Sequence, residues 1–64
     1  MNEIELSRKH PRAFDALPEP YQNDSCLEFS DDNGILIAKP RPDQIGVLGD
    51  WTAVFNGLAW ESIS

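Results

Sequence analysis

The sequence has one cysteine and one histidine among 64 residues, and it has no long apolar run. A single cysteine excludes an internal disulfide and a cysteine-based zinc cluster. No apolar stretch approaches the ~18 residues of a transmembrane helix, and the first six residues lack the basic start and apolar core of a secretory signal. We therefore expect no membrane association and a cytoplasmic location.

Basic residues are also scarce, because five Lys and Arg stand against eleven Asp and Glu, giving a formal charge of −6. The acids are concentrated: residues 15–38 contain six carboxylates and no cation, whereas residues 1–14 have a slight positive balance. A negative chain repels phosphate backbones, so direct nucleic-acid binding is not expected. The apolar fraction of 41% is enough for a core, which argues against a wholly disordered acidic tail.

A first β-hairpin is predicted from the apolar runs on either side of Asp31-Asp32-Asn33-Gly34. The loop length determines which side chains are buried, because a shift of one residue reverses the two faces of a strand. We predict a three-residue loop over 32–34, which buries the larger apolar set: Leu27, Phe29, Ile35 and Ile37. A two- or four-residue loop would instead group Leu27 and Phe29 with Leu36 and Ala38.

A second β-hairpin is predicted around Asn56-Gly57, a pair that favours the two-residue type I′ turn. Aromatic and β-branched residues flank this pair on both sides. A two-residue loop sets Phe55 opposite Leu58 and Trp60 opposite Ala53. It gathers the residues of the expected core face on one side: Trp51, Ala53, Phe55, Leu58 and Trp60.

Shorter elements complete the predicted fold. Residues 11–17 favour a short helix with Pro11 at its first position, and residues 1–6 alternate in polarity like an extended arm or edge strand. Residues 40–49 contain two prolines and are interpreted as a connection. We thus predict one small α+β domain over 1–64, with a short N-terminal helix packed on a mostly antiparallel four-stranded sheet built from two hairpins, at about 26–39 and 50–63.

Few residues in the sequence can carry catalytic chemistry. His10 lies among cations and is interpreted as a solvated residue before the helix, and Cys26 as a small apolar strand residue. The first turn has the composition of a calcium loop but not its spacing, because Phe29 and Pro40 fall where an EF-hand needs carboxylates. No glycine-rich phosphate loop is present. We therefore expect no enzyme activity and no catalytic, metal or cofactor site.

The clustered acids are the remaining functional signal. We expect a small non-enzymatic domain that binds and modulates another protein, one with a basic surface, because long-range attraction accelerates encounter. Solubility alone explains the same charge equally well. The predicted protein-binding residues come from the acidic turn and from the aromatic residue of the proline-bounded segment: Glu28, Asp31, Asp32 and Tyr21.

Two alternatives are compatible with the same sequence. The acidic segment can be read as a DNA mimic that inhibits a DNA-binding protein by imitating phosphates. The chain can also be read as a small homo-oligomeric structural protein, with a homodimer formed at an exposed sheet edge such as residues 3–6. Compact acidic domains without catalytic motifs are common among phage and prophage proteins that modify host machinery, an association that rests on size and composition and involves no particular residue.

Overall fold

A computed structural model describes residues 1–63 of the chain, so Ser64, the last residue of the predicted domain, lies outside the described residues. Four short helices and four strands follow one another, with a 3-10 turn at Pro42–Gln44. The helices are α1 (Glu3–Lys9), α2 (Pro11–Asp15), α3 (Glu19–Asn23) and α4 (Ile45–Leu48). The strands are β1 (Leu27–Asp32), β2 (Ile35–Pro40), β3 (Ala53–Phe55) and β4 (Trp60–Ser62).

The strands form one antiparallel sheet in the order β1-β2-β3-β4, in which each strand is the neighbour of the next along the chain. Helix α1 packs on α2 and on β1, so the N-terminal helices form a second layer on one side of the sheet. This arrangement confirms the predicted α+β class and the four-stranded sheet built from two hairpins.

The first hairpin has a two-residue loop, so the predicted three-residue loop is wrong. Asp32 lies opposite Ile35, and Phe29 lies opposite Ala38. Asn33 and Gly34 both have positive φ, 54° and 82°, as a type I′ turn requires. The buried residues of this hairpin are therefore Leu27, Phe29, Leu36, Ala38 and Pro40, whereas Ile35 is 51% exposed.

The second hairpin has a four-residue loop over 56–59, so the predicted two-residue type I′ turn is also wrong. Phe55 lies opposite Trp60, and Ala53 lies opposite Ser62. The Asn56 side-chain oxygen accepts hydrogen bonds from the N–H groups of Leu58 and Ala59, both at 2.8 Å, and so closes the wider loop. Leu58, expected in the core, is 88% exposed.

Residues 1–6 are not an extended arm or edge strand, because α1 begins at Glu3. The Asn2 side-chain oxygen accepts a hydrogen bond from the Glu5 N–H at 2.9 Å, which caps the helix, and the acids and bases of α1 lie at its favourable ends. Met1, which precedes the helix, lies beside β1. Its backbone exchanges two hydrogen bonds with Phe29, one from the Met1 amino group and one to the Met1 carbonyl.

The predicted helix over 11–17 ends at Asp15, and Leu17 is buried beyond it. Gln22 of α3 donates hydrogen bonds to the carbonyls of Phe14 and Leu17, at 2.9 and 3.1 Å, and joins the two helices. In the connection 40–49, Leu48 packs against the core, whereas Val47 is 82% exposed.

The core lies between the helices and one face of the sheet. Leu6 of α1 and Phe29 of β1 are its largest fully buried side chains. Trp60 joins the second hairpin to the helices, since its indole N–H donates to the Ala13 carbonyl at 2.9 Å and its ring lies 5.8 Å from that of Phe29 and 5.3 Å from that of Phe55. Tight aromatic packing thus stabilises a domain whose length limits its core.

Candidate functional site

The candidate site is the sheet face opposite the helices, which we call the open face. Side chains alternate between the two faces of a strand, and the buried residues of β1 and β2 all point to the helix side. The intervening residues form the open face: Glu28, Ser30, Asp32, Ile35, Ile37, Lys39, Val54 and Glu61. All eight of these residues are exposed or half-buried.

Three β-branched aliphatic side chains form the centre of the open face. Ile37 and Val54 lie directly opposite each other on neighbouring strands and are half-buried. Ile35 lies two residues along β2 on the same face and is 51% exposed. These side chains make a contiguous apolar stripe across the middle strands, and contiguous exposed apolar surface is typical of interaction sites.

Carboxylates surround the apolar stripe. Asp32 lies opposite Ile35 in the strand register, Glu28 lies opposite Lys39, and Glu61 lies opposite Val54. The Glu61 carboxylate also accepts a hydrogen bond from the Asn56 side chain at 2.9 Å, which fixes its position. Three carboxylates and one ammonium group therefore make this face negative, with its charges at the rim and its apolar side chains at the centre.

The four residues predicted for protein binding do not lie together. Glu28 and Asp32 are on the open face, but Asp31 points to the helix side, where its carboxylate lies 3.8 Å from the His10 imidazole. Tyr21 of α3 is also on the helix side and half-buried, with its ring 6.2 Å from that of Trp51. The register thus divides the acidic turn between two surfaces.

Sequence reasoning missed the apolar stripe, because the three-residue loop assigned Ile35 and Ile37 to the core. The signal that identifies them is the turn. Asn33-Gly34 at φ values of 54° and 82° makes a two-residue loop, and that loop turns both isoleucines outward. The same register carries Leu36 inward, where it is 7% exposed.

Cys26, at the start of the sheet, is the one free thiol and is half-buried. Burial raises the pKa of this thiol above its ordinary value, a backbone hydrogen bond opposes the shift, and the negative charges of Asp24 and Glu3 add to it. A raised pKa keeps the thiol protonated, which makes it a weaker nucleophile. Over the described range 1–63, no three His, Cys, Asp or Glu side chains form a group that could hold a metal ion.

The helices within residues 1–63 are all too short to cross a membrane. Comparisons of the whole chain with known proteins give no assignment of family. The chain matches no known family model, no curated protein and no solved structure at significant similarity.

Proposed function

We propose that this protein binds another protein through the open face of its sheet and modulates it, without catalysis of its own. The observation that supports this proposal is the contiguous stripe of Ile35, Ile37 and Val54 on a sheet face that the helices leave uncovered. Burial of such a stripe against a partner releases its ordered water, which is the main favourable term in most protein association.

The charges of the open face favour a partner with a basic surface. Glu28, Asp32 and Glu61 surround the stripe, and Lys39 is the one cation among them. A complementary surface has aliphatic or aromatic side chains at its centre and Lys or Arg at its rim. A second copy of this chain would bring the same excess of carboxylates against its own, so we favour a basic partner over a homodimer. A DNA mimic receives less support, because Asp31 lies on the other face from Glu28 and Asp32.

The test compares two exposed isoleucines of similar accessibility. Ile35 on the open face is 51% exposed and Ile4 on α1 is 56% exposed, so Ile35→Ser and Ile4→Ser each remove an isoleucine side chain of similar exposure. Immobilised wild-type and variant chains are used to capture proteins from a lysate of the native host, and the affinity of the captured protein is measured with the purified pair.

We expect one partner that Ile4→Ser retains and that Ile35→Ser binds roughly tenfold more weakly, which corresponds to an interface side chain worth about 1.4 kcal/mol. The double variant Glu28→Gln, Asp32→Asn slows association and makes it less sensitive to salt. Equal binding by the two isoleucine variants, or no captured protein at low salt, contradicts the proposal. Sedimentation of the free chain as a dimer that Ile35→Ser dissociates would assign the open face to a second copy.

A further inference from the structure

A second surface lies at the end of the sheet where both hairpin turns meet. In a four-stranded meander the first and third connections lie at the same end, and here the turn at 33–34 and residues 56–57 of the second loop face the corner between α1 and α2. A cleft of about 670 Å³ separates the two connections from this corner. It is lined by the corner residues 9–13, by Gly34 and Leu36, and by residues 55–57. This volume lies within the range of small-molecule sites.

The lining of this cleft is basic, in contrast to the chain as a whole. Lys9, His10 and Arg12 reach it from the helix corner, and no carboxylate of residues 1–63 lines it. The carboxylates nearby lie outside: Asp31 is 3.8 Å from His10, and Glu5 is 3.7 Å from Lys9 in an exposed pair. Such an exposed pair is weak and is easily exchanged for a better anion.

Arg12 has the greatest freedom to bind a ligand. Arg12 is exposed and makes no ion pair within residues 1–63. Besides the cleft, it lines a second hollow, which Asp15 also lines. A guanidinium group presents a planar fork of donors that matches a carboxylate or a phosphate in two parallel hydrogen bonds. Arg12 therefore brings a donor group of this geometry to the lining of the cleft.

The rest of the lining is apolar. Ala13 is 1% exposed and Leu36 is 7% exposed, and the half-buried ring of Phe55 lies beside them. Gly34 and Gly57 contribute no side chains, so the turns leave the opening wide. A ring stacked on Phe55 and covering Leu36 would gain apolar contact while its charged group remains at the basic side.

We propose that this cleft binds a small organic anion, with an aromatic body on Leu36 and Phe55 and a carboxylate or phosphate facing Arg12 and Lys9. The site is independent of the open face, because Leu36 points to the helix side of the sheet while Ile35 and Ile37 point away from it. A ligand here and a protein partner on the open face can be bound at once.

The test uses amide NMR spectra of the whole chain titrated with four probes. Phenyl phosphate and naphthoate combine ring and charge, inorganic phosphate has only the charge, and naphthol has only the ring. We expect saturable shifts from the two aromatic anions at residues 9–13, 34–36 and 55–57. Phosphate and naphthol are expected to bind at least about tenfold more weakly, because each makes only half of the contacts.

Two arginine variants provide the matched control. Arg12→Gln and Arg41→Gln change the net charge equally, but Arg41 lies elsewhere, against the Ser25 carbonyl and Asp43. We expect Arg12→Gln to weaken binding of phenyl phosphate roughly tenfold or more, the usual loss for a charged hydrogen bond, and Arg41→Gln to leave it unchanged. Equal losses in the two variants, shifts spread over the open face, or no saturable shift at millimolar probe would overturn the proposal. The spectra themselves report whether each variant remains folded.

Discussion

The register of the first hairpin makes opposite predictions for two neighbouring side chains. Leu36 is 7% exposed on the helix side, whereas Ile35 is 51% exposed on the open face. Truncation of a buried leucine to alanine costs about 2–5 kcal/mol, and Leu36 belongs at the lower end because it borders the cleft at the helix corner. We therefore expect Leu36→Ala to cost about 2 kcal/mol of unfolding free energy, and Ile35→Ala at most ~0.5 kcal/mol.

These magnitudes are large for a domain of 64 residues, which typically has only about 3–5 kcal/mol of stability. Urea unfolding followed by the fluorescence of Trp51 and Trp60, which both pack against the core, gives the two free energies. With a urea slope of about 1 kcal/mol per molar, Leu36→Ala lowers the midpoint by about 2 M. If Ile35→Ala costs as much as Leu36→Ala or more, the two-residue loop is wrong and the apolar stripe of the open face does not exist.

Three further predictions concern other parts of the fold. Gly34→Ala places a Cβ at a φ of 82° and should cost about 1 kcal/mol in the same urea assay, whereas Gly46→Ala, in a helix with open space around it, should be neutral or slightly stabilising. Because the pKa of Cys26 is raised, less of this thiol is present as thiolate at a given pH. Alkylation of Cys26 at pH 8 should therefore be slower than that of an unstructured peptide thiol. A faster reaction would contradict the burial of Cys26. The Ser25 hydroxyl donates to the buried Glu3 carboxylate (2.8 and 3.1 Å), so Ser25→Ala should cost about 1–2 kcal/mol in thermal unfolding. Ser30→Ala, at an exposed position of the open face, should cost almost nothing.

The positions of both hairpins were predictable from the sequence, but both registers were predicted wrongly. Ile35 and Ile37 have more apolar area than Leu36 and Ala38, so apolar area alone assigns the two isoleucines to the core. Leu36 and Ala38 are buried in their place, and Ala38 lies opposite Ala53. These small side chains line a hollow together with Trp51 and Trp60. Comparison of apolar area therefore gave the wrong register for the first hairpin, although its Asn33-Gly34 pair favours the two-residue turn that is observed.

The second Asn-Gly pair shows where the local turn preference fails. Only Asn33-Gly34 adopts the type I′ turn that both pairs favour. Asn56 instead accepts two backbone N–H groups with its side chain, and Trp60 comes to lie opposite Phe55, within reach of the Ala13 carbonyl. The tertiary anchor of the tryptophan therefore overrides the local turn preference. For the candidate site, the acidic residues Glu28 and Asp32 were predicted from the sequence, but the apolar stripe of Ile35, Ile37 and Val54 on the open face was not.

The pairing of Met1 with Phe29 has a consequence for self-assembly. The backbone of Phe29 directs its N–H and carbonyl away from β2, at the middle of the outer strand, and Met1 occupies both groups. A strand from another molecule that extends the sheet here must first displace Met1, and α1 follows directly behind it. Growth of ordered aggregates from this side should therefore show a lag set by the local opening of the first residues rather than by protein concentration alone.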